Sequence, residues 1–456
     1  MNTAPFQFSP DGGITGHSLG TIREDLSWLT KVIELRLQQH FSGVEDDDFM
    51  AGLPPPDLSG NESFYAYMIR KYNFNTTERV ILLMALAVHV APVCFDIFFL
   101  KNENLNRGYT EFGGIVGTAH SGFIPTGETL SFLLCGRNLE KRFQLIEYFS
   151  DYHSFYTQNI LHLSDVKDGD PIFSGAVTIS KEYLTLLTQG RPYYPHYTSS
   201  FPAKRMTTPL TFADAVYDEH TSHALDDVRG WIKHGQSIMA DTRLRMFLKQ
   251  GYRVLFYGPP GTGKTMTAAM LGKEAGLDVY QIDLSAVVSK YIGETEKNLA
   301  SLFNMAENKQ WILFFDEADA LFGKRTQTQS SNDQYANQQV SYLLQRIEDF
   351  NGTVVLATNF KDNIDTAFLR RFQSIVFFPK PKTEQRLALW RKYFSTFEVD
   401  ADLESIANEF ELSGGSIINV LRYCSIVAQH RGTTVVTAED VYKGITKEYQ
   451  KEGITL

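Results

Sequence analysis

One stretch limits what this chain can fold into more than any other: Tyr252 to Leu271, YRVLFYGPPGTGKTMTAAML. Tyr252, Val254, Leu255, Phe256 and Tyr257 form an apolar and aromatic run that reads as a buried strand. Gly258-Pro259-Pro260-Gly261-Thr262-Gly263-Lys264-Thr265 follows, with the spacing G-x-x-x-x-G-K-S/T, and Met266 to Leu271 opens a helix. The three glycines let the backbone curl until successive N–H groups point at one anion. The helix adds its positive end. Lys264 is then the point charge for β- and γ-phosphates, and Thr265 offers a hydroxyl to Mg²⁺. The expected ligand is a nucleoside triphosphate with Mg²⁺, touching residues 258 to 266, Met266 included.

The rest of the chain bounds the classes open to it. Its 456 residues allow about two to four domains. A net charge of −10 argues against a duplex-binding surface, which is usually basic, although a local basic pore stays open. The longest clean apolar run, Val80–Val88, is too short to span a bilayer. MNTAPFQFSP lacks the basic start and apolar core of a secretion signal, so a cytoplasmic protein off the membrane is expected. Cys94, Cys135 and Cys424 stand far apart in apolar surroundings and read as reduced core residues.

Taken in order, the chain changes character near residue 200. Apolar spacing predicts helices over Thr21–Phe41, Ser63–Tyr72, Thr76–Val90, Glu128–Cys135 and Glu140–Phe149. Glu45 to Asp48 reads as a solvated acidic loop, and His120 in the Gly-rich stretch 111–127 as structural or solvent-facing. Ile160–Val166 and Pro171–Ser180 flank Lys167-Asp-Gly-Asp170, a hairpin signal. This gives an α-rich N-terminal recruitment domain with a hairpin over 1–190, then a Pro-rich linker over 191–209. From Leu210 strand and helix alternate. Strands are expected at Arg253–Tyr257, Val279–Asp283, Trp311–Asp316, Thr353–Thr358 and Ile375–Phe378. That alternation implies a parallel sheet covered on both faces, over 210–380. After Pro379 the strands are expected to stop, and 381–456 reads as a helical lid. The fold class is therefore α/β, a P-loop parallel sheet with a helical lid behind an α-rich N-terminal domain.

Further motifs fall at the strand ends. Trp311-Ile-Leu-Phe-Phe-Asp316-Glu317 is a strand ending in two acids: Asp316 suits the Mg²⁺ shell and Glu317 the polarisation of an attacking water. A helix N-cap pair is the plainer alternative. Thr353 to Thr358 ends in Asn359, which has the donors for a γ-phosphate or the water. Arg370 and Arg371 put two guanidiniums side by side, suited to spread phosphate charge, or to a surface ion-pair cluster. Lys290-Tyr291-Ile292-Gly293 offers an exposed aromatic beside an aliphatic, fit to grip an extended chain, or else a helix lead-in with Tyr291 in the core.

In this order, GPPGTGKT, SKYIGETEK, ILFFDEADALFGKR, ATN and DTAFLRRF resemble the AAA branch of the AAA+ ATPases over roughly residues 210–450. The resemblance implies ATP hydrolysis, a lid and usually a homo-oligomeric ring of six with ATP at subunit boundaries. It implies that Gly258, Gly261, Gly263, Lys264 and Thr265 are Walker A, Asp316 and Glu317 Walker B, and Asn359 sensor 1. It makes Arg370 and Arg371 trans-acting fingers, and Tyr291 and Ile292 a pore loop for a protein client. The fingers are adjacent, R-R-F, as in the branch that includes katanin and spastin. Leu412-Ser-Gly-Gly-Ser416 occupies the place of the S-G-A-D lid turn and brings no sensor 2 arginine. Glu348-Asp349-Phe350 resembles the D-G-F signal with its middle glycine changed. The N-terminal layout is similar to stand-alone bacterial AAA ATPases encoded beside contractile, phage-tail-like injection systems, which implies a component of such a particle as client. Two other classes stay open: a nucleic-acid-dependent motor or loader, disfavoured by the acidic balance, and a nucleotide-gated scaffold that scarcely hydrolyses, disfavoured by Glu317 and the two arginines.

Overall fold

The computed structural model describes residues 16–43, 48–103, 106–199, 201–284, 294–318, 341–359, 369–451 and 453. Two compact units divide the chain, Met1–Tyr194 and Pro195–Leu456.

The first unit is helical with small antiparallel ribbons. Its centre is the helix Thr76–Val90, started by an Asn75–Glu78 capping box. Every residue from Val80 to Ala87 is fully buried, so the all-round apolar run VILLMALA is a core helix. Gly16–Ser42 and Phe64–Tyr72 pack their apolar stripes with it. No single helix among the described residues is long and apolar enough to cross a membrane, and the apolar stretch 76–99 bends by 100° between Val90 and Pro92. The expected hairpin is present as Leu161–Leu163 paired antiparallel with Val177–Ile179. The acidic loop lies largely outside the described residues, at 44–47.

In the second unit six strands make one sheet: β1 (Ala203–Met206), β2 (Tyr252–Tyr257), β3 (Val279–Ile282), β4 (Ile312–Phe315), β5 (Thr353–Thr358) and β6 (Ser374–Phe377). The spatial order is β6-β2-β5-β4-β3-β1, and all pairs are parallel except β1 with β3. Successive strand residues feed opposite cores, as a period of two requires. Leu255, Leu313, Phe315, Val354 and Leu356 join Leu299, Leu302, Phe303 and Ala306 of α3 (Glu294–Lys309) on one face. Val254, Phe256, Ile312, Phe314, Val355 and Ala357 join Leu225 and Val228 of α1 (Glu219–Ala240) and Ala268 and Leu271 of α2 (Lys264–Ala275) on the other. Burial of each large side chain stabilises by about 1.5–3 kcal/mol.

Two expectations are corrected. The stretch 191–209, read as linker, contributes β1, tied to the sheet by an Arg205 Nε–Asp278 Oδ1 hydrogen bond of 2.8 Å. Strands also do not stop at Pro379: Glu398–Asp400 pairs in parallel with Val435–Thr437. The lid is otherwise helical: α4 (Thr383–Tyr393), α5 (Leu403–Glu409), α6 (Gly414–Arg431) and α7 (Ala438–Lys451) close on a core of Trp390, Phe394, Ile417, Val420 and Ile445. The helix α4 ends at Tyr393, and the chain then turns into that strand.

One buried charge cluster ties the first unit together. Asp25, with no exposure, accepts from Arg79 Nε at 2.6 Å and from the Tyr65 hydroxyl. Arg79→Ala strands that carboxylate and is expected to destabilise the unit by about 3–5 kcal/mol in urea unfolding, while Asp25→Leu with Arg79→Met recovers most of the loss.

Candidate active site

The site is built by strand order. The strand β5 lies between β2 and β4, and Thr358 is level with Tyr257. Asn359 therefore emerges beside Gly258, at the carboxyl edge where the Gly-rich loop begins. On its other side Phe315 pairs with Leu356, so Asp316 and Glu317 leave β4 at the same edge. Open α/β sheets place their ligands outside this edge.

Gly258, Gly261 and Gly263 have φ of 142°, 75° and 98°. These are left-handed conformations that suit glycine. At Gly258 a Cβ would also stand 2.1 Å from the Phe378 carbonyl oxygen. Gly263 is the N-cap of α2. Lys264, only 7% exposed, reaches back under the loop: Nζ donates to Gly258 O at 2.6 Å, Pro259 O at 3.0 Å and Asn359 Oδ1 at 2.9 Å. Thr262 Oγ1 donates to Pro259 O at 2.9 Å. Burial lowers the proton affinity of Lys264, and the Asp316 charge offsets part of that. All three partners of the ammonium are neutral oxygens, so it sits with its charge unpaired by any described carboxylate. A buried cation under a ring of N–H groups fits a phosphate chain.

The acids stand beside it. Thr265 Oγ1 donates to Asp316 Oδ2 at 3.0 Å. The other Asp316 oxygen accepts the Glu317 N–H at 3.0 Å. Glu317 has φ of 51°, a strained conformation for a side-chain-bearing residue, and is exposed at the cavity mouth. The described residues hold no cluster of three or more His, Cys, Asp or Glu fit for a metal. The hydroxyl and carboxylate at 265 and 316 instead fit Mg²⁺ as that ion is usually held, by one carboxylate and substrate phosphates.

A cavity of ≈ 450 Å³ adjoins the loop. Pro260 to Met266, Asp316, Glu317 and Asn359 line it. Its remaining walls were not read from the sequence. Val216 and Tyr217 come from the lead-in, Leu389 and Tyr393 from α4, and Ile418 from α6. The Thr267 hydroxyl donates to Gly263 O at 2.8 Å, so the Tyr217 hydroxyl, 2.7 Å away, donates to Thr267. Burial pushes Tyr217 up to about 12, which keeps it a phenol. The lid touches the loop directly: Gly415 N–H donates to Gly261 O at 2.9 Å. The signal available in sequence was the spacing of Gln385, Leu389 and Tyr393, one stripe of a helix.

Other candidate residues lie elsewhere. Arg370 and Arg371 do not line the cavity. They precede β6, and Gln373 N–H already bonds Arg253 O near the start of β2. They therefore belong to the amino edge of the sheet, a strand's length from Lys264. Both are exposed, and Arg371 forms an ion pair with Glu348. The segment Lys290, Tyr291, Ile292 and Gly293 lies outside the described residues.

A Gly-rich loop closing over a buried lysine at the carboxyl edge of a parallel sheet defines a P-loop nucleotide-binding domain. The comparisons narrow the class. Residues 254–380 match the family described as ATPase family associated with various cellular activities (AAA). Cell division protein C of Sulfolobus acidocaldarius is 36% identical over 187 residues, covering 39% of this chain and 50% of that protein. Proteasome-activating nucleotidase 2 of Haloferax volcanii is 34% identical over 197 residues, covering 41% and 48%. A katanin p60 ATPase-containing subunit of Homo sapiens, the A-like 1 form, is 34% identical over 218 residues, covering 44% of each chain. The chain spans about half the length of the curated relatives it matches.

Because a Cβ at Gly258 meets a backbone carbonyl and no movable side chain, Gly258→Ala is expected to cost about 2–4 kcal/mol in urea unfolding of the second unit. Gly276→Ala is the comparison, since its φ of 68° is left-handed but nothing lies within 4 Å of the added carbon.

Proposed function

We propose that this protein is an ATP-hydrolysing remodeller of protein clients that works as a homo-oligomeric ring, with six subunits as the expected number. The observation that carries the reading is Lys264, a buried ammonium held, among the described residues, by three neutral oxygens beside Asp316 and Glu317. The loop's N–H groups and Lys264 bind the phosphates, and Thr265 and Asp316 hold Mg²⁺, which when bound neutralises charge on the phosphates. Glu317 takes the proton of the attacking water. Asn359, with its amide oxygen on Lys264, has N–H groups without a partner among the described residues, which suit orienting that water or the terminal phosphate.

Charge that develops on the terminal phosphate needs a further cation. Arg370 and Arg371 lie at the other edge of their own sheet, so a neighbouring protomer is the geometry in which they reach a site. Tyr291 and Ile292 then grip the client in the ring axis, and the N-terminal unit recruits it. The printed names of the relatives include a proteasome-activating nucleotidase and a katanin component, which supports protein as the substrate class. The N-terminal resemblance makes a component of a contractile injection particle the first client to test.

Glu317→Gln should keep ATP binding and lose turnover by about 10²–10⁴. Arg371→Ala should be similarly slow. Mixed, the two variants are expected to regain activity, because a base from one chain then meets an arginine from the other. ATPase rate of the mixture against protein concentration tests this; a rate that stays flat and unrecovered overturns the shared site. Tyr291→Ala should leave basal ATPase unchanged and abolish client unfolding, followed as loss of fluorescence from a tagged client; unfolding at the wild-type rate removes the threading step.

A further inference from the structure

The lid supplies a wall of the cavity whose chemistry the phosphate reaction does not use. There α4 lines the space with Gln385, Leu389 and Tyr393, at successive i, i+4 positions. Leu389 and Ile418 give it the apolar character that suits a flat aromatic ring. Gln385, half-buried, is the one side-chain amide that the lid brings to this wall.

The orientation of that amide is set by its neighbour. Gln385 Oε1 accepts the Lys382 backbone N–H at 2.8 Å, reaching back over the first turn of α4. That bond satisfies a backbone donor at the helix start, so it favours the orientation in which the oxygen faces Lys382. The oxygen keeps a second lone pair, and Nε2 makes no hydrogen bond to protein among the described residues. Gln385 therefore presents an acceptor and a donor side by side at the cavity wall.

We infer that Gln385 reads the edge of the nucleotide base and selects adenine over guanine; this rests on the nucleotide reading above. Adenine places an N6 amino donor next to the N7 acceptor, and a glutamine amide can pair with both at once. Guanine keeps N7 but carries the O6 acceptor in place of the amino group, so oxygen would face oxygen. Turning the amide over would set Oε1 against N7 instead, so neither orientation pairs both groups of the guanine edge.

The test is equilibrium binding of ATP, GTP and 7-deaza-ATP to the full chain, with Mg²⁺ withheld so that nothing turns over. The wild-type protein is expected to bind ATP roughly 10-fold or more tighter than GTP, and to bind 7-deaza-ATP, which lacks the N7 acceptor, several-fold more weakly than ATP. Gln385→Leu should bring ATP and GTP to similar affinity by weakening ATP. Gln385→Glu keeps an acceptor for Lys382 N–H and loses the donor. It should keep the wild-type melting temperature and bind ATP and 7-deaza-ATP alike, a change that loss of the cap alone would not produce. Wild-type ATP:GTP ratios in the leucine variant, or a retained 7-deaza penalty in the glutamate variant, overturn the inference and leave the nucleotide site standing. Wild-type protein that binds no triphosphate overturns both.

Discussion

The arrangement depends on a single buried charge. Lys264 sits 7% exposed with its ammonium on three neutral oxygens, an environment that disfavours the charged form. Everything around it either makes that tolerable or uses it. The loop glycines adopt conformations that turn two carbonyls inward to the ammonium. The β5 strand, inserted between β2 and β4, brings the Asn359 oxygen as the third acceptor. None of these groups neutralises the charge, so an anion drawn to the loop has a preformed partner. The sheet's order, its register and the loop's geometry are in this sense conditions for holding one cation out of water.

A second set of contacts relates the lid to the loop. Val216 packs on the lid core, and the Tyr217 hydroxyl bonds Thr267 on α2. Lys392 of α4 bonds the Ala213 carbonyl at 2.7 Å. The lead-in thus touches both the helix that carries the lysine and the helices that cover the base wall. A change at the phosphates has a short path to the lid through packed side chains and the Lys392 contact.

The sheet was legible in the sequence because its central strands are buried on both faces. Val254 to Phe256, Ile312 to Phe315 and Val354 to Ala357 read as continuous apolar runs for that reason. The edge strand β1 was hidden for the converse reason. Ala-Lys-Arg-Met carries two cations, lies just after Pro202 and is half-exposed, so it looks like linker until Asp278 is placed beside Arg205. The lid's three-residue strands are too short for alternation to show. The site divides in the same way. Loop, acids and Asn359 announce themselves because the chemistry sits on consecutive residues. The base wall does not, because Val216, Leu389 and Ile418 come from three distant segments and, one at a time, look like core.

The bond between Gly415 and Gly261 is made by backbone alone, at a point where neither partner has a side chain. Taken by itself, such a bond is worth about 1 kcal/mol net, which at room temperature leaves it broken roughly one time in six. This bond therefore does not fasten lid to loop by its own strength, and the close approach of Ser413 and Gly415 to Gly261 shares the task. Bare backbone on both sides lets the two surfaces meet without a side chain that would have to move aside.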